Sequence, residues 1–501
     1  MDVLNHILAA IPLVFTIEVF IAMIIGTTIG IAVGALPGLS ATMGIAVLIP
    51  ITFTMQPLTA LGMIAGIYNG AMYGGSIPAI LLKIPGTPAG VATVFDGYPM
   101  AQQGRAPLAL NISLASSAIG SGFSAIALLL LAPPLASIAI TFGPADYFWL
   151  ALFGLTTISV LVSSNPIKGL LSACFGLVVG MIGIDFTTGN QRFVFDTTEL
   201  LGGVNIIIIL TGLYAIPPAI ELAIKSNSND GNAPKVKQKK ESFKWLSLTM
   251  VWLKSSLIGI IIGIIPALGG NVAALLAWNE QRRSDKEKSK YMKGEPKGVA
   301  AAECANNADT AATLIPAITL GIPGNAVAAV ILGALLVHGL RPGPDLFTEN
   351  GDIVYGFMLT MLITAVLMFI IGRIGAKAYI HVLKLPSTLL APMILSLTLI
   401  GVYAVHNSMF EVGLMLCFGL IGFFMEKLSI PTAPAVLAVI LGPMAEESLR
   451  RAMLISRDSV SYLFQSYISL TIVVMIVLTL ITPIWKYFRN KSKKTIIKEE
   501  Q

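Results

Sequence analysis

A strongly apolar stretch broken by prolines occurs twice in this chain, as PAILLKIPGT from Pro78 to Thr87 and as PAITLGIPGN from Pro316 to Asn325. Proline lacks an amide proton and its ring clashes with the carbonyl four residues back, so a helix meeting Pro85 or Pro323 must stop or unwind. In hydrocarbon each freed backbone group costs several kcal/mol unless protein or a polar cavity satisfies it. Two copies of one broken apolar segment therefore restrict the chain to folds in which interrupted helices face a polar interior.

Composition supplies the hydrocarbon. Of 501 residues, 55% are hydrophobic and 12% charged, with mean hydropathy +0.83. Apolar runs that reach or approach the ~20 residues needed to cross a bilayer recur from Ile11–Ala35 through Ile112–Ala132 and Val354–Ile371 to Tyr467–Ile484. The expectation is an all-α polytopic membrane protein with roughly 10 to 14 passages. The N-terminal MDVLNHILAA has neither the basic n-region nor the small-residue cleavage site of a secretory signal, so it is read as retained.

The net charge of +6 does not indicate nucleic acid. Its lysines and arginines cluster in Lys225–Lys244, Arg282–Lys297 and Lys486–Lys498, short basic segments beside apolar spans that mark the cytoplasmic side. Cys174, Cys304 and Cys417 lie in apolar or small-residue segments without a CxxC spacing and are read as packing residues. His6, His338, His381 and His406 are too scattered to indicate a metal site.

The duplication widens around the opening phrase. GIAVGALPGL (Gly30–Leu39) matches GIIIGIIPAL (Gly259–Leu268), Asn69 falls opposite Asn307, and CFGL begins at both Cys174 and Cys417, preceded by Asn165 and Asn407. This gives a first membrane repeat over 1–224, a basic cytoplasmic linker over 225–245, a second repeat over 246–486 and a basic cytoplasmic tail over 487–501. The basic insert Arg282–Lys297 corresponds to the uncharged Thr52–Ala60 of the first repeat, which favours inverted repeats by the positive-inside rule. Arg105 and Arg341, at similar positions in both halves, do not support this.

Helix breaks are expected at Pro37, Gly38, Pro85, Pro266 and Pro323. After them come Ser40 and Thr42, Gly86 and Thr87, Gly270 and Asn271, and Gly324 and Asn325, mostly good N-cap types. Restarted helices would point free amides and a positive dipole end into the cavity, suited to a carboxylate, although ordinary caps and kinks would look the same. With Asn69, Lys83 and Asn307, these residues are the candidate substrate contacts. Lys83 has an alternative role, snorkelling to an interface.

A charge at the bilayer centre costs at least ~2.5 to 3.5 kcal/mol. Glu303, Asn306 and Asn307, spaced i, i+3, i+4 with Thr310 close by, would put a carboxylate and two amides on one helical face; Asp309 would point elsewhere. Glu303, Asn306 and Asp309 are the candidate ion-coupling residues, for a cation or a proton, against the alternative of a solvated helix end. The first repeat has Ala65, Tyr68 and Asn69 at the equivalent places. Asp96 and Glu18 are weaker proton-handling candidates. Glu446 and Glu447 with Arg450 and Arg451 read as surface ion pairs.

LPGLSATMGIAVLIP, YGGSIPAILLKIPGTPAGVATVFDGYPMAQQG, ECANNADTAATLIPAITLGIPGNAVAAVILG and GLRPGPDLF resemble the TctA family, the large membrane subunit of tripartite tricarboxylate transporters, over nearly the whole chain. The resemblance implies secondary, ion-driven carboxylate uptake in a prokaryotic cytoplasmic (inner) membrane, with a small four-helix, TctB-like subunit and a periplasmic, TctC-like binding protein. The chain departs from the family pattern at Lys83, where Asn is usual, at Cys304 within ECANN, and at Asn325. The expected function is a permease subunit importing di- or tricarboxylates by alternating access, coupled to Na+ or H+. No cofactor, and no metal beyond Na+, is expected. An anion channel is the alternative, since broken helices also line pores. An intramembrane enzyme is a more distant one, since no HExxH or GxSxG is present.

Overall fold

The duplicated sequence is also a duplicated helix crossing. Helix Ile17–Ala35 packs on helix Pro57–Gly74, and Thr249–Ile264 packs on Pro296–Ala312. A Cβ added at Gly30 would lie 2.4 Å from the Ile67 carbonyl oxygen and one at Gly34 would lie 2.2 Å from that of Ala71. The equivalent Gly259 and Gly263 would put theirs 2.5 Å from the Ala305 oxygen and 3.1 Å from that of Asp309. Only glycine permits such backbone approach, which is how helices associate where no hydrophobic force draws them together. Gly30 and Gly34 are thus paired with Gly259 and Gly263 by what they touch as well as by sequence.

The computed structural model describes all residues except 1–2, 37–38, 162–164, 186–187, 226–242, 267, 383–386 and 482–501. Pro37, Gly38, most of the 225–245 linker and the basic tail lie outside the described residues. Among the described residues, seven helices are long and apolar enough to cross a membrane: Ile17–Ala35, Ala106–Ala139, Ile206–Ile224, Trp245–Ile264, Gly351–Gly375, Leu389–His406 and Met409–Lys427. Shorter apolar helices include Ala41–Thr52, Pro166–Gly180, Ala326–Val337 and Tyr467–Ile481. Large aliphatic side chains stand exposed along many of them, among them Ile17, Leu130 and Leu389, as expected of surfaces that meet lipid. Strand pairing among the described residues is confined to a hairpin, with Gly183 opposite Arg192 and Ile184 opposite Gln191.

Both proline-broken phrases fold as their chemistry requires. Each begins in a seven-residue helix, Ser76–Leu82 or Leu314–Leu320. Each helix ends on a left-handed residue, Lys83 (φ 63) or Gly321 (φ 75). The chain then crosses IPG and restarts as helix Val91–Gln102 or Ala326–Val337. Gly86 and Gly324 occupy the same niche: a Cβ would lie 2.5 Å from the Gly34 oxygen in the first and 2.9 Å from the Gly263 oxygen in the second.

The chain divides into two compact units, one of Met1–Ser137 with Ile207–Phe423, the other of Ile138–Ile206 with Phe424–Gln501. Each takes chain from both sequence halves. In the second unit, Gly176 of the first CFGL packs on the Ala435 backbone, where a Cβ would lie 2.0 Å from its oxygen. Asp185 and Glu446 there share Arg192 and Arg450, with contacts of 2.6 to 3.6 Å. Arg451 pairs with Glu447, so the expected helix-surface ion pairs form. In the first unit, Gly419 of the second CFGL packs on Ile216, with 2.5 Å between its added Cβ and Cγ2. The two CFGL helices thus each pack on a helix of the opposite sequence half.

Candidate functional site

Helix Pro296–Ala312 is enclosed by protein: every residue from Gly298 to Ala312 is buried. Its alternation of alanine with Glu303, Asn306, Asn307, Asp309 and Thr310 lets neighbours approach closely while sending polar groups in two directions.

One direction is built on Glu303. Its Oε1 accepts from the Thr93 hydroxyl and its Oε2 from Ser117 Oγ at 3.1 Å. Asn307 Nδ2 donates to Ser117 Oγ at 2.9 Å and to the Glu303 carbonyl at 3.0 Å. The Thr310 hydroxyl lies 2.7 Å from the Asn307 carbonyl and 3.3 Å from Asn69 Oδ1. Asn69 Nδ2 in turn donates to the Met361 carbonyl at 3.0 Å and to Thr364 Oγ1 at 2.9 Å. The two duplicated asparagines are therefore braces. Asn69 holds the long second-half helix Gly351–Val382, and Asn307 holds its first-half counterpart Ala106–Ala139.

The second direction is built on Asp309. Asn325 Nδ2 donates to Asp309 Oδ2 at 3.1 Å and to Tyr68 Oη at 3.2 Å. Asn325 Oδ1 caps helix Ala326–Val337 by accepting from the Ala328 amide at 2.9 Å. Asn306 belongs to this side: a Cβ at Gly270 would lie 2.7 Å from its Oδ1 and 3.4 Å from Asp309 Oδ2. The expected grouping of Glu303, Asn306 and Asn307 thus divides. Asn307 and Thr310 follow Glu303 at i+4 and i+7, whereas Asn306 joins Asp309 at i+3.

The remaining candidates are spread around these breaks. Ser40 caps helix Ala41–Thr52, its Oγ accepting from the Met43 amide at 3.2 Å, and Thr42 is buried in the first turn. Gly86 and Thr87 are buried in the first break and, among the described residues, Thr87 Oγ1 has no partner. Pro85 and Pro266 are half-buried, and Pro323 and Gly324 are buried. Gly270 and Asn271 do not cap: helix Gly269–Ser284 has already begun, and Asn271 is exposed. Lys83 is exposed, with Nζ 5.7 Å from the Tyr98 ring centroid. Glu18 is exposed in the first turn of its helix.

Asp96 is fully buried but fully engaged. It accepts from Trp278 Nε1 at 2.8 Å and from the Gly294 and Glu295 amides at 3.2 and 3.0 Å. It thereby fastens the basic loop of the second half to the first. Arg105 Nη1 adds a bond to the Gly294 carbonyl at 3.0 Å. Within that loop Asp285 is drawn two ways. Burial raises its carboxyl, but hydrogen bonds from Lys297, the Glu287 amide and the Tyr291 hydroxyl outweigh this and hold it at about 2.

Thr93, Ser117 and Tyr68 are partners that sequence reasoning missed. A signal for one of them existed, since Ser113, Ser117, Ser121 and Ser124 form a line at helical spacing in an apolar run, all buried. Ser124 Oγ accepts from the Ala312 amide at 2.8 Å. An open groove of about 400 Å³ lined by Ile258, Ile262, Leu276, Glu280 and Arg283 shares no residue with the polar cluster.

Many apolar helices, two of them restarting beside a buried set of carboxylates and amides, define a multi-pass membrane protein built around polar helix breaks. The chain belongs to the tripartite tricarboxylate transporter TctA family, whose model matches residues 20–437. It is thus the membrane subunit of a tricarboxylate transporter, in a family whose systems have partner subunits. It is 35% identical over 486 residues, 95% of each chain, to an uncharacterized 52.8 kDa protein in the TAR-I ttuC' 3' region of Agrobacterium vitis. A second Agrobacterium vitis relative, from the TAR-II ttuC' 3' region, is 29% identical over 242 residues, 48% of this chain and all of the relative. No solved structure matches.

Proposed function

We propose that this protein is the permease subunit of a secondary, cation-coupled importer of di- or tricarboxylates in a prokaryotic cytoplasmic membrane. A periplasmic binding protein delivers the substrate and a small membrane subunit completes the complex. The observation that carries this reading is the pair of duplicated helix breaks beside Glu303 and Asp309, two buried carboxylates without a basic partner among their hydrogen bonds. Isolated carboxylates are costly inside protein and persist where they exchange a cation or a proton.

Substrate carboxylates meet the amides and hydroxyls of the restarted helices, at Ser40 and Thr42, Gly86 and Thr87, and Gly324 and Asn325. Asn69, Asn307, Lys83 and Asn271 are the outlying candidates. A multiply charged anion entering a negative cytoplasm is opposed by ~2.3 kcal/mol per charge per 100 mV, and inward cation flow offsets this. Inverted repeats would let breaks from the two halves alternate in facing either side.

The test is uptake by proteoliposomes holding the complete complex, with a panel of labelled di- and tricarboxylates. Accumulation above equilibrium that requires a Na+ or H+ gradient, together with counterflow, is expected. Equilibration without counterflow would mean a channel. Asn325→Ala is expected to abolish uptake while leaving monodisperse protein, and unchanged uptake would remove Asn325 from the site.

A further inference from the structure

Among the described residues, Asp309 Oδ1, Thr313 Oγ1 and both amide atoms of Asn306 have no hydrogen-bond partner, although the three residues are 0 to 1% exposed. All lie where three separate segments meet, and each segment presents a glycine. A Cβ at Gly263 would stand 3.0 Å from Asp309 Oδ1, one at Gly270 would stand 2.7 Å from Asn306 Oδ1, and one at Gly324 would stand 2.1 Å from Thr313 Oγ1 and 2.9 Å from the Gly263 carbonyl oxygen. Each of these unpartnered groups thus stands beside a glycine at which a side chain would intrude, and Thr313 Oγ1 and the Gly263 carbonyl flank the same glycine, Gly324.

We propose that these groups form a site for one Na+ ion, held by Asp309, Asn306 and Thr313 with the Gly263 carbonyl at the edge, a proposal that rests on the cation-coupled reading above. The donor set is all oxygen, which suits a hard cation and does not select a transition metal. Its formal charge is −1, so a monovalent ion leaves the buried site neutral, whereas a divalent ion leaves an uncompensated positive charge. A proton serves the same atoms poorly: placed on Asp309 it creates one donor, which satisfies one acceptor and leaves the other oxygens bare.

The duplicate half lacks the chemistry. At the positions of Asn306, Asp309 and Thr313 it has Tyr68, Ala71 and Gly75, so the repeat supplies the frame twice and the cation site once. Tyr68 instead bonds Asn325 at 3.2 Å, which places a first-half side chain against the residue that holds Asp309 Oδ2. Glu303 stands apart, both of its oxygens being engaged by Thr93 and Ser117.

The test is thermal unfolding of the purified full-length protein in NaCl, KCl and choline chloride at equal ionic strength, without any carboxylate. Saturable stabilisation by Na+ alone is expected. Thr313→Val and Gly270→Ala are each expected to raise the half-saturating Na+ concentration by about tenfold or more, the loss of one ligand contact being worth about that factor. Thr313→Ser is expected to retain it. Equal stabilisation by K+ or choline overturns the site, as does an unaltered Na+ response in monodisperse Thr313→Val and Gly270→Ala proteins. Gradient-driven carboxylate uptake that ignores Na+ overturns the site but leaves the import reading standing. Na+ stabilisation with the expected variant pattern, in a complex that moves no carboxylate, overturns the import reading alone.

Discussion

Lys83 is where one residue's conformation and its chemistry can be separated. It ends helix Ser76–Leu82 with φ 63, the conformation its duplicate supplies with Gly321. Left-handed backbone costs a non-glycine residue ~1 to 2 kcal/mol, less for asparagine. Lys83→Gly and Lys83→Asn are therefore expected to raise unfolding stability by up to ~1 kcal/mol, and Lys83→Val to lower it by about 1 kcal/mol or more. A thermal shift series measures this, and uptake by the same variants reports separately on the ammonium group. The duplicated asparagines teach the converse lesson. Their pairing was legible in the sequence, but whether an amide meets a ligand or a neighbouring helix depends on residues that sequence cannot bring together, here Thr364 and Ser117. Asn69→Ala and Asn307→Ala are expected to cost about 1 to 3 kcal/mol each, because they leave buried groups unpaired. Equal stability of the variants and the parent would return both asparagines to the ligand.

Among elements, the glycine-lined crossings explain why the helices meet where they do. Gly30→Val and Gly259→Val would each drive a branched side chain into a carbonyl 2.4 or 2.5 Å from the Cβ position, and each is expected to destabilise by at least ~1 to 3 kcal/mol. Gly122, whose added Cβ would meet nothing within 4 Å, is the control: Gly122→Ala is expected to be neutral or to stabilise by up to ~1 kcal/mol. The duplication of these glycine-bearing segments was legible in the sequence, as were the breaks through proline chemistry, whereas the crossing itself depends on which helix each glycine meets. The caps were only half legible. Ser40 and Asn325 cap, but the second-half helix starts earlier, at Gly269 with φ 62, which draws Gly270 and Asn271 into its first turn. The basic loop offers a further test. Because the folded Asp285 carboxyl titrates at about 2, below its unfolded value, its stabilisation is complete above about pH 4 and fades as pH falls towards 2. Asp285→Asn should therefore raise hydrogen exchange across residues 285–297 at pH 7, after correction for intrinsic rates. An unchanged rate in that variant would mean that Asp285 does not hold the loop.

At the scale of the molecule, the two sequence halves interlock. Asn69 of the first half bonds the long helix of the second, and Asn307 of the second bonds the long helix of the first. Asp96 fastens the second-half loop at Gly294 and Glu295, and each CFGL helix packs on a helix from the other half. Neither half can satisfy its buried polar groups by itself, since Glu303 needs Thr93 and Ser117, and Asn69 needs Thr364. The covalent connection across 225–245 then contributes mainly effective concentration, whose free energy changes slowly with linker length. Cutting there and co-expressing residues 1–224 with 246–501 is accordingly expected to yield a complex that stays together through purification and keeps its uptake. Either fragment expressed alone is expected to aggregate or be degraded, because its unpaired carboxylate or amides would face hydrocarbon at several kcal/mol each. Two fragments that fold independently and separate on a sizing column would show that the halves are joined chiefly by the linker, and that the reciprocal asparagine contacts carry little of the stability assigned to them.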